Sequence, residues 1–141
     1  MTATAEFLEM SPYFAGMSTI ELESIAGFFY QKTINKGENI VWEGAPGEAL
    51  YFVISGAVKC FKLSKEGKEQ ILQIVLPGGS FNDVAVFDGG PSPTSTEAMS
   101  LVNLYVIAAR DMHQLIDNYP KLIPNVTGVL TGQIRQLLDL V

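Results

Sequence analysis

This 141-residue chain has one cysteine, one histidine and one tryptophan, and its nine Lys and Arg are outnumbered by fifteen Asp and Glu. A single cysteine, Cys60, excludes an internal disulfide framework, a multi-cysteine zinc site and a cysteine-held iron–sulfur cluster, and it suits a reducing, cytoplasmic setting. A single histidine, His113, cannot build a histidine-rich metal centre. No serine–histidine or cysteine–histidine relay is recognisable, so no catalytic residue and no metal ligand is assigned. The formal net charge of -6 repels phosphate backbones, which argues against nucleic-acid contact by this segment itself. No run approaches the roughly 18 apolar residues of a membrane span. The opening MTATAEFLEM lacks a basic region followed by an apolar one, so neither a signal peptide nor a membrane partner is expected. There is no fixed-period repeat and no low-complexity tract.

What the chain does have is apolar: 48% of its residues are hydrophobic and 17% charged, the composition of one globular domain. Ser18-Thr19-Ile20-Glu21 is a capping box, and Ile20, Leu22, Ile25, Ala26, Phe28 and Phe29 follow at helical spacing, which predicts a short helix failing near Tyr30. The texture then changes to short β-rich runs: Ile40–Trp42, Leu50–Ile54, Ala57–Leu63, Gln70–Val75 and Leu101–Ile107. Glycine-containing turns separate these runs about every ten residues, the spacing of an antiparallel sandwich or roll. Val58, Cys60 or Phe61, and Leu63 alternate as in a strand with one wet face.

Helical periodicity returns after Arg110, with Asp111 as the expected N-cap, Met112, Leu115 and Ile116 on one face and Pro120 as the stop. A longer helix is expected from Pro120 or Lys121. Its apolar positions Leu130, Ile134, Leu137 and Val141 step by four, three and four, the seam of a coiled-coil-like contact. The domain reading is therefore an N-terminal helix plus β-roll over residues 1–120 and the start of a long helix over 121–141. The chain stops inside that pattern without a cap, so a further C-terminal segment is expected.

The run IVWEGAPGEALYFVISG, Ile40 to Gly56, resembles the first signature of cyclic-nucleotide-binding domains, with Gly44 and Gly47 in a tight reversal and an apolar quartet ending at Gly56. From the helix at Ser18 to the final helix, the order of elements is similar to the sensor half of bacterial Crp/Fnr-type transcription regulators. That resemblance implies a mainly β fold, an antiparallel β-roll or jelly-roll (double-stranded β-helix) with flanking helices and a long C-terminal dimerisation helix. It also implies a homodimer, a small-molecule effector, and DNA contact only through a helix-turn-helix module beyond residue 141.

In cyclic-nucleotide binders of this family the second signature reads roughly F-G-E-L-A, then, several residues on, R-S-A. The glutamate takes the ribose, amides at the start of a short helix meet the phosphate, and the arginine supplies countercharge. Here Phe81 and Ala85 match and Val84 and Val86 are conservative, while Asn82 stands in the glycine place, Asp83 in the glutamate place and Ser92 in the arginine place. Pro93, Thr94 and Ser95 replace the remainder. Between Glu69 and Ala109 there is no lysine or arginine, but there are Asp83, Asp88 and Glu97. Losing a buried charge partner costs about 3–5 kcal/mol, two to three decades in affinity, which argues against cyclic AMP in the usual mode.

The resemblance places the effector pocket at Phe81, Asn82, Asp83, Val84, Ala85, Ser92, Pro93 and Thr94, with Gln133 and Leu137 as its lid. FNDVAVFDGGP also resembles this loop in Fnr-like regulators of anaerobic and nitrogen-oxide metabolism. That makes haem or a small organic effector a candidate ligand, with a cyclic nucleotide in an altered mode as the alternative.

Several residues have two readings. His113 is either a haem ligand or, favoured, a solvent-side imidazole of an amphipathic helix. Asp83 either bonds a ligand or caps the short helix after it. Cys60 is read as packing rather than as a redox sensor, and Met10, Met17, Met99 and Met112 as core fillers. Gly78-Gly79-Ser80 reads as a hairpin turn, and the Leu130, Ile134, Leu137, Val141 seam as a dimer contact rather than a cover for the chain's own roll.

Overall fold

A computed structural model describes all residues from Met1 to Val141. The capping box forms as read: Ser18 Oγ accepts from the Glu21 amide and Glu21 Oε1 accepts from the Ser18 amide, opening helix α2, Thr19–Ala26. Before it lies a helix the sequence reading missed, α1, Ala3–Glu9, capped by the Thr2 hydroxyl and burying Ala5 and Leu8. A 3-10 turn, Pro12–Phe14, joins the two helices and buries Tyr13 and Phe14.

Eight strands follow: β1 (Tyr30–Ile34), β2 (Asn39–Val41), β3 (Ala49–Ser55), β4 (Val58–Leu63), β5 (Glu69–Val75), β6 (Ser80–Phe81), β7 (Ser95–Ala98) and β8 (Val102–Ala108). They form two antiparallel four-stranded sheets, in the orders β1-β8-β3-β6 and β2-β7-β4-β5. This is the expected β-roll. Strands β3 and β8, central in their sheet, are buried on both faces, which explains why LYFVI and LYVI read as unbroken apolar runs rather than alternating ones. Val53, Leu104 and Val106 point between the sheets into one core, while Leu50, Phe52, Tyr105 and Ile107 point outward into a second core closed by the helices. In β4 the expected single wet face is broken by a register shift between Cys60 and Phe61, so both are buried and Leu63 is exposed.

Helix α3 (Asp83–Asp88) interrupts the roll between β6 and β7, and α4 (Ala109–Asn118) leaves β8 directly. Asp111 is not the α4 cap. The chain passes from extended Ala108 straight into helix, placing Asp111 in the first turn. After a second 3-10 turn, Pro120–Leu122, helix α5 runs Ile123–Leu138 with no buried residue. Val141 therefore lies outside the helix, and the regular seam is Leu130, Ile134 and Leu137. Two of the four methionines read as filler are exposed, Met10 at 83% and Met99 at 39%, whereas Met112 is fully buried.

Candidate functional site

The site is assembled from the turn before β3, from β6–α3 with the loop that follows, and from α5. Gly44 and Gly47 carry the turn. Gly44 adopts φ +87°, and the α-carbon of Gly47 presses so closely on α3 that a Cβ there would lie 2.6 Å from Ala85 Cβ. The Gly44 amide donates to the Ser92 carbonyl and the Ser92 amide to the Ala45 carbonyl, each at 2.8 Å, so the two signature loops are sewn together through backbone.

Asn82 opens α3 in the left-handed region at φ 70°, the only non-glycine residue of the chain with positive φ. Asparagine is one of the few L-residues that tolerate this conformation, which is why it can occupy the glycine place of the signature. Its side chain is held at both ends. Nδ2 donates to the Ala49 carbonyl at 3.0 Å and Oδ1 accepts from Ser92 Oγ at 2.7 Å. The two positions that depart most from the cyclic-nucleotide pattern are thus bonded to each other, and Ser92 is 1% exposed where an arginine would reach out.

Asp83 does not cap α3. The residue is 3% exposed, and its Oδ2 accepts hydrogen bonds from the Tyr13 hydroxyl and from Ser80 Oγ. Burial and the neighbouring Asp83 charge push the Tyr13 phenol far above its ordinary pKa, so it stays a donor. Tyr13 was missed by sequence reading, since it stands 70 residues from its partner. The same segment is tied to α5: Asn125 Nδ2 donates to the carbonyls of Tyr13 and Ala15, at 3.0 and 2.9 Å.

Between these elements lies a cavity of about 100 Å³ lined by Phe81, Asn82, Asp83, Val84, Pro93, Thr94, Gln133 and Leu137, together with Cys60, Leu72 and Gln73. Eight of the ten expected pocket residues meet there; Ala85 and Ser92 are buried behind the wall. Cys60, Leu72 and Gln73 are additions from β4 and β5, visible in sequence only as strand residues. Burial and the Asp83 carboxylate push the Cys60 thiol up to about 12, so it is an un-ionised wall group at neutral pH.

Two larger spaces flank α5. A polar cleft of about 450 Å³ runs along Asn125, Gly128, Gly132 and Gln136, and an apolar groove of about 290 Å³ lies between Val84 and Phe87 of α3 and Leu130, Ile134 and Leu137 of α5. Gln133 borders all three spaces. The α5 seam therefore partly faces the chain's own α3, while Ile134 and Leu137 remain 54% and 44% exposed.

The Cyclic nucleotide-binding domain family matches residues 31–119, more than half of the chain. The chain belongs to that family. Among curated relatives, the Cyclic AMP receptor protein of Thermus thermophilus is 29% identical over 126 residues, covering 89% of this chain and 58% of the relative. The crystal structure of Thermus thermophilus Catabolite Activator Protein superposes with a TM-score of 0.82, covering 92% of this chain and 62% of that one. This domain thus spans a little over half the length of these relatives. The sensor domain of the transcriptional regulator DNR from Pseudomonas aeruginosa shares the fold, with a TM-score of 0.80 at 22% identity over 96% of this chain. The relatives and neighbours thus include regulators of the Crp/Fnr type, as the sequence resemblance implied.

Haem does not fit the residues present. His113 lies outside the cavity, its Nε2 donating to the Val86 carbonyl at 2.7 Å, which fixes the proton on Nε2 in the neutral ring. Its ring stands edge-on to Phe87. The cavity is also well below the roughly 300–1,000 Å³ of ordinary small-molecule sites. No group of three or more His, Cys, Asp or Glu side chains is arranged to hold a metal ion, and no helix is long and apolar enough to cross a membrane.

Proposed function

We propose that this domain is the non-enzymatic effector-sensing and dimerisation part of a cytoplasmic Crp/Fnr-type transcription regulator. On this reading it does not take cyclic AMP in the family's usual mode. The observation that carries it is the Asn82–Ser92 hydrogen bond, which fills the countercharge position with a neutral, self-satisfied pair. DNA contact belongs to a helix-turn-helix module outside residues 1–141. A phosphate brought here would meet Asp83 with no cation in the wall, at a cost of about 3–5 kcal/mol. Titration of this domain with cyclic AMP, followed calorimetrically, is expected to show no saturation below about 1 mM, two to three decades weaker than a micromolar binder. Saturable micromolar binding refutes the proposal and favours a cyclic-nucleotide receptor with an altered mode.

Pocket filling reaches α5 by two routes. Gln133 and Leu137 border the cavity directly, and Asp83 connects through Tyr13 to Asn125. A ligand that prefers one position of α5 shifts the population of that position. The apolar Leu130, Ile134 and Leu137 of a helix with no buried residue point to a second copy as the cover for this face. Ile134→Asp combined with Leu137→Asp is expected to convert a dimer to monomer in sedimentation at about 10 μM while leaving the β-roll melting transition in place. A protein that sediments as a monomer before mutation removes the dimer from the proposal.

A further inference from the structure

The cavity beside α3 keeps a carboxylate in the glutamate place, as Asp83, but has lost the cation of the arginine place. Its one charged wall group, Asp83, is buried and has no cation anywhere in the chain. None of the ion pairs includes it, and none of the nine Lys and Arg lines this cavity or either flanking space. Tyr13 and Ser80, both neutral donors, take Oδ2, and neither uses Oδ1. A buried carboxylate without a countercharge is among the costliest arrangements in a protein interior, and a ligand cation is one way to relieve it.

The rest of the wall divides cleanly. Phe81, Leu72, Pro93, Val84, Leu137 and the un-ionised Cys60 supply apolar surface, and Asn82, Thr94, Gln73 and Gln133 supply neutral donors and acceptors. We infer that the effector site is selective for a small cationic ligand, an ammonium or amidinium group on a short apolar body, with its charge against Asp83 Oδ1 and its body under Leu137. The inference rests on the sensing role proposed above and specifies the ligand class. A volume of about 100 Å³ limits the ligand to a few heavy atoms unless α5 moves outward. A cation on Oδ1 also draws charge away from the Oδ2 that accepts from the Tyr13 hydroxyl, so the charge of the ligand acts on the Tyr13 segment that Asn125 ties to α5.

The test is a charge series of one shape. Propylammonium, propan-1-ol and propionate are titrated into the 15N-labelled 141-residue protein in phosphate buffer, so that no amine buffer competes. The amides of Phe81–Ala85, Thr94 and Gln133 are followed. Propylammonium is expected to shift these amides with an apparent Kd at least about tenfold below that of propan-1-ol, with propionate weakest. Asp83→Asn keeps an acceptor for Tyr13 and Ser80 and is expected to level the series. Should that variant fail to fold, the ranking in the unmutated protein still decides. Equal or reversed ranking, or no shift with any of the three, overturns the inference and leaves the sensing role standing. Saturable micromolar shifts of the same amides by cyclic AMP overturn the sensing role as proposed.

Discussion

Phe52→Ala is expected to lower stability by about 3–5 kcal/mol, the range for emptying a fully buried aromatic site, and to lower the melting temperature by about 10–20 °C. Phe52 is 0% exposed and stands where the β-sheet meets the N-terminal helices. Tyr13 and Phe29 lie edge-on to its ring at 5.6 and 5.7 Å, and Phe14 is tilted against it at 6.3 Å. Rigid sheet backbone on one side and helical backbone on the other keep the hole from collapsing, so the loss is a large one among single substitutions. Because Tyr13 is both a wall of this cluster and the donor to Asp83, the substitution is also expected to loosen the candidate site. Thermal unfolding by circular dichroism checks the first effect, and amide exchange of α3 the second. A melting shift of less than about 4 °C would mean that the helices are not held by this cluster.

Gly47→Val is expected to be nearly as severe, at about 3 kcal/mol, the upper end for overpacking. The added Cβ would lie 2.6, 2.8 and 2.9 Å from the Ala85 Cβ, carbonyl carbon and carbonyl oxygen. Two of those atoms are helix backbone, which cannot rotate aside, so α3 itself must move and carry Asn82 and Asp83 with it. Gly128→Ala is the matched control. Nothing lies within 4 Å of its Cβ position, and replacing a glycine inside a helix should raise stability by about 0.5–1 kcal/mol. Paired denaturant melts of the two variants check this. Equal stability of Gly47→Val and the unmutated protein would show that the turn does not seat α3.

Local rules made much of this fold readable. The capping box at Ser18 and Glu21 needs only residues within one helical turn, and the glycine turns need only a left-handed backbone, as at Gly44 and Gly56. What these rules missed had weak local signal. Strand β1, YQKTI, exposes its first four residues and takes its stability from pairing with β8, and β7, STEA, has no large apolar residue although it lies between β2 and β4. Helix α1 buries two side chains, too few to produce a periodic pattern. Aspartate prefers the cap place, which is why Asp111 reads as one, but α4 starts three residues earlier than such a cap implies, at Ala109 directly after β8 ends at Ala108.

The candidate site divides in the same way. An acidic segment empty of lysine and arginine from Glu69 to Ala109, and an Asn82, Asp83, Ser92 pattern in place of the phosphate-binding one, are properties of the sequence itself, since charge and residue identity do not depend on packing. The Tyr13–Asp83 bond across 70 residues, the Asn82–Ser92 bond, and the convergence of three spaces on Gln133 were decided only by the tertiary structure. Hydrogen bonds within a turn are set by the few torsions between their partners. Bonds between distant segments exist only once two sheets and five helices have packed, and nothing in either segment alone specifies its partner.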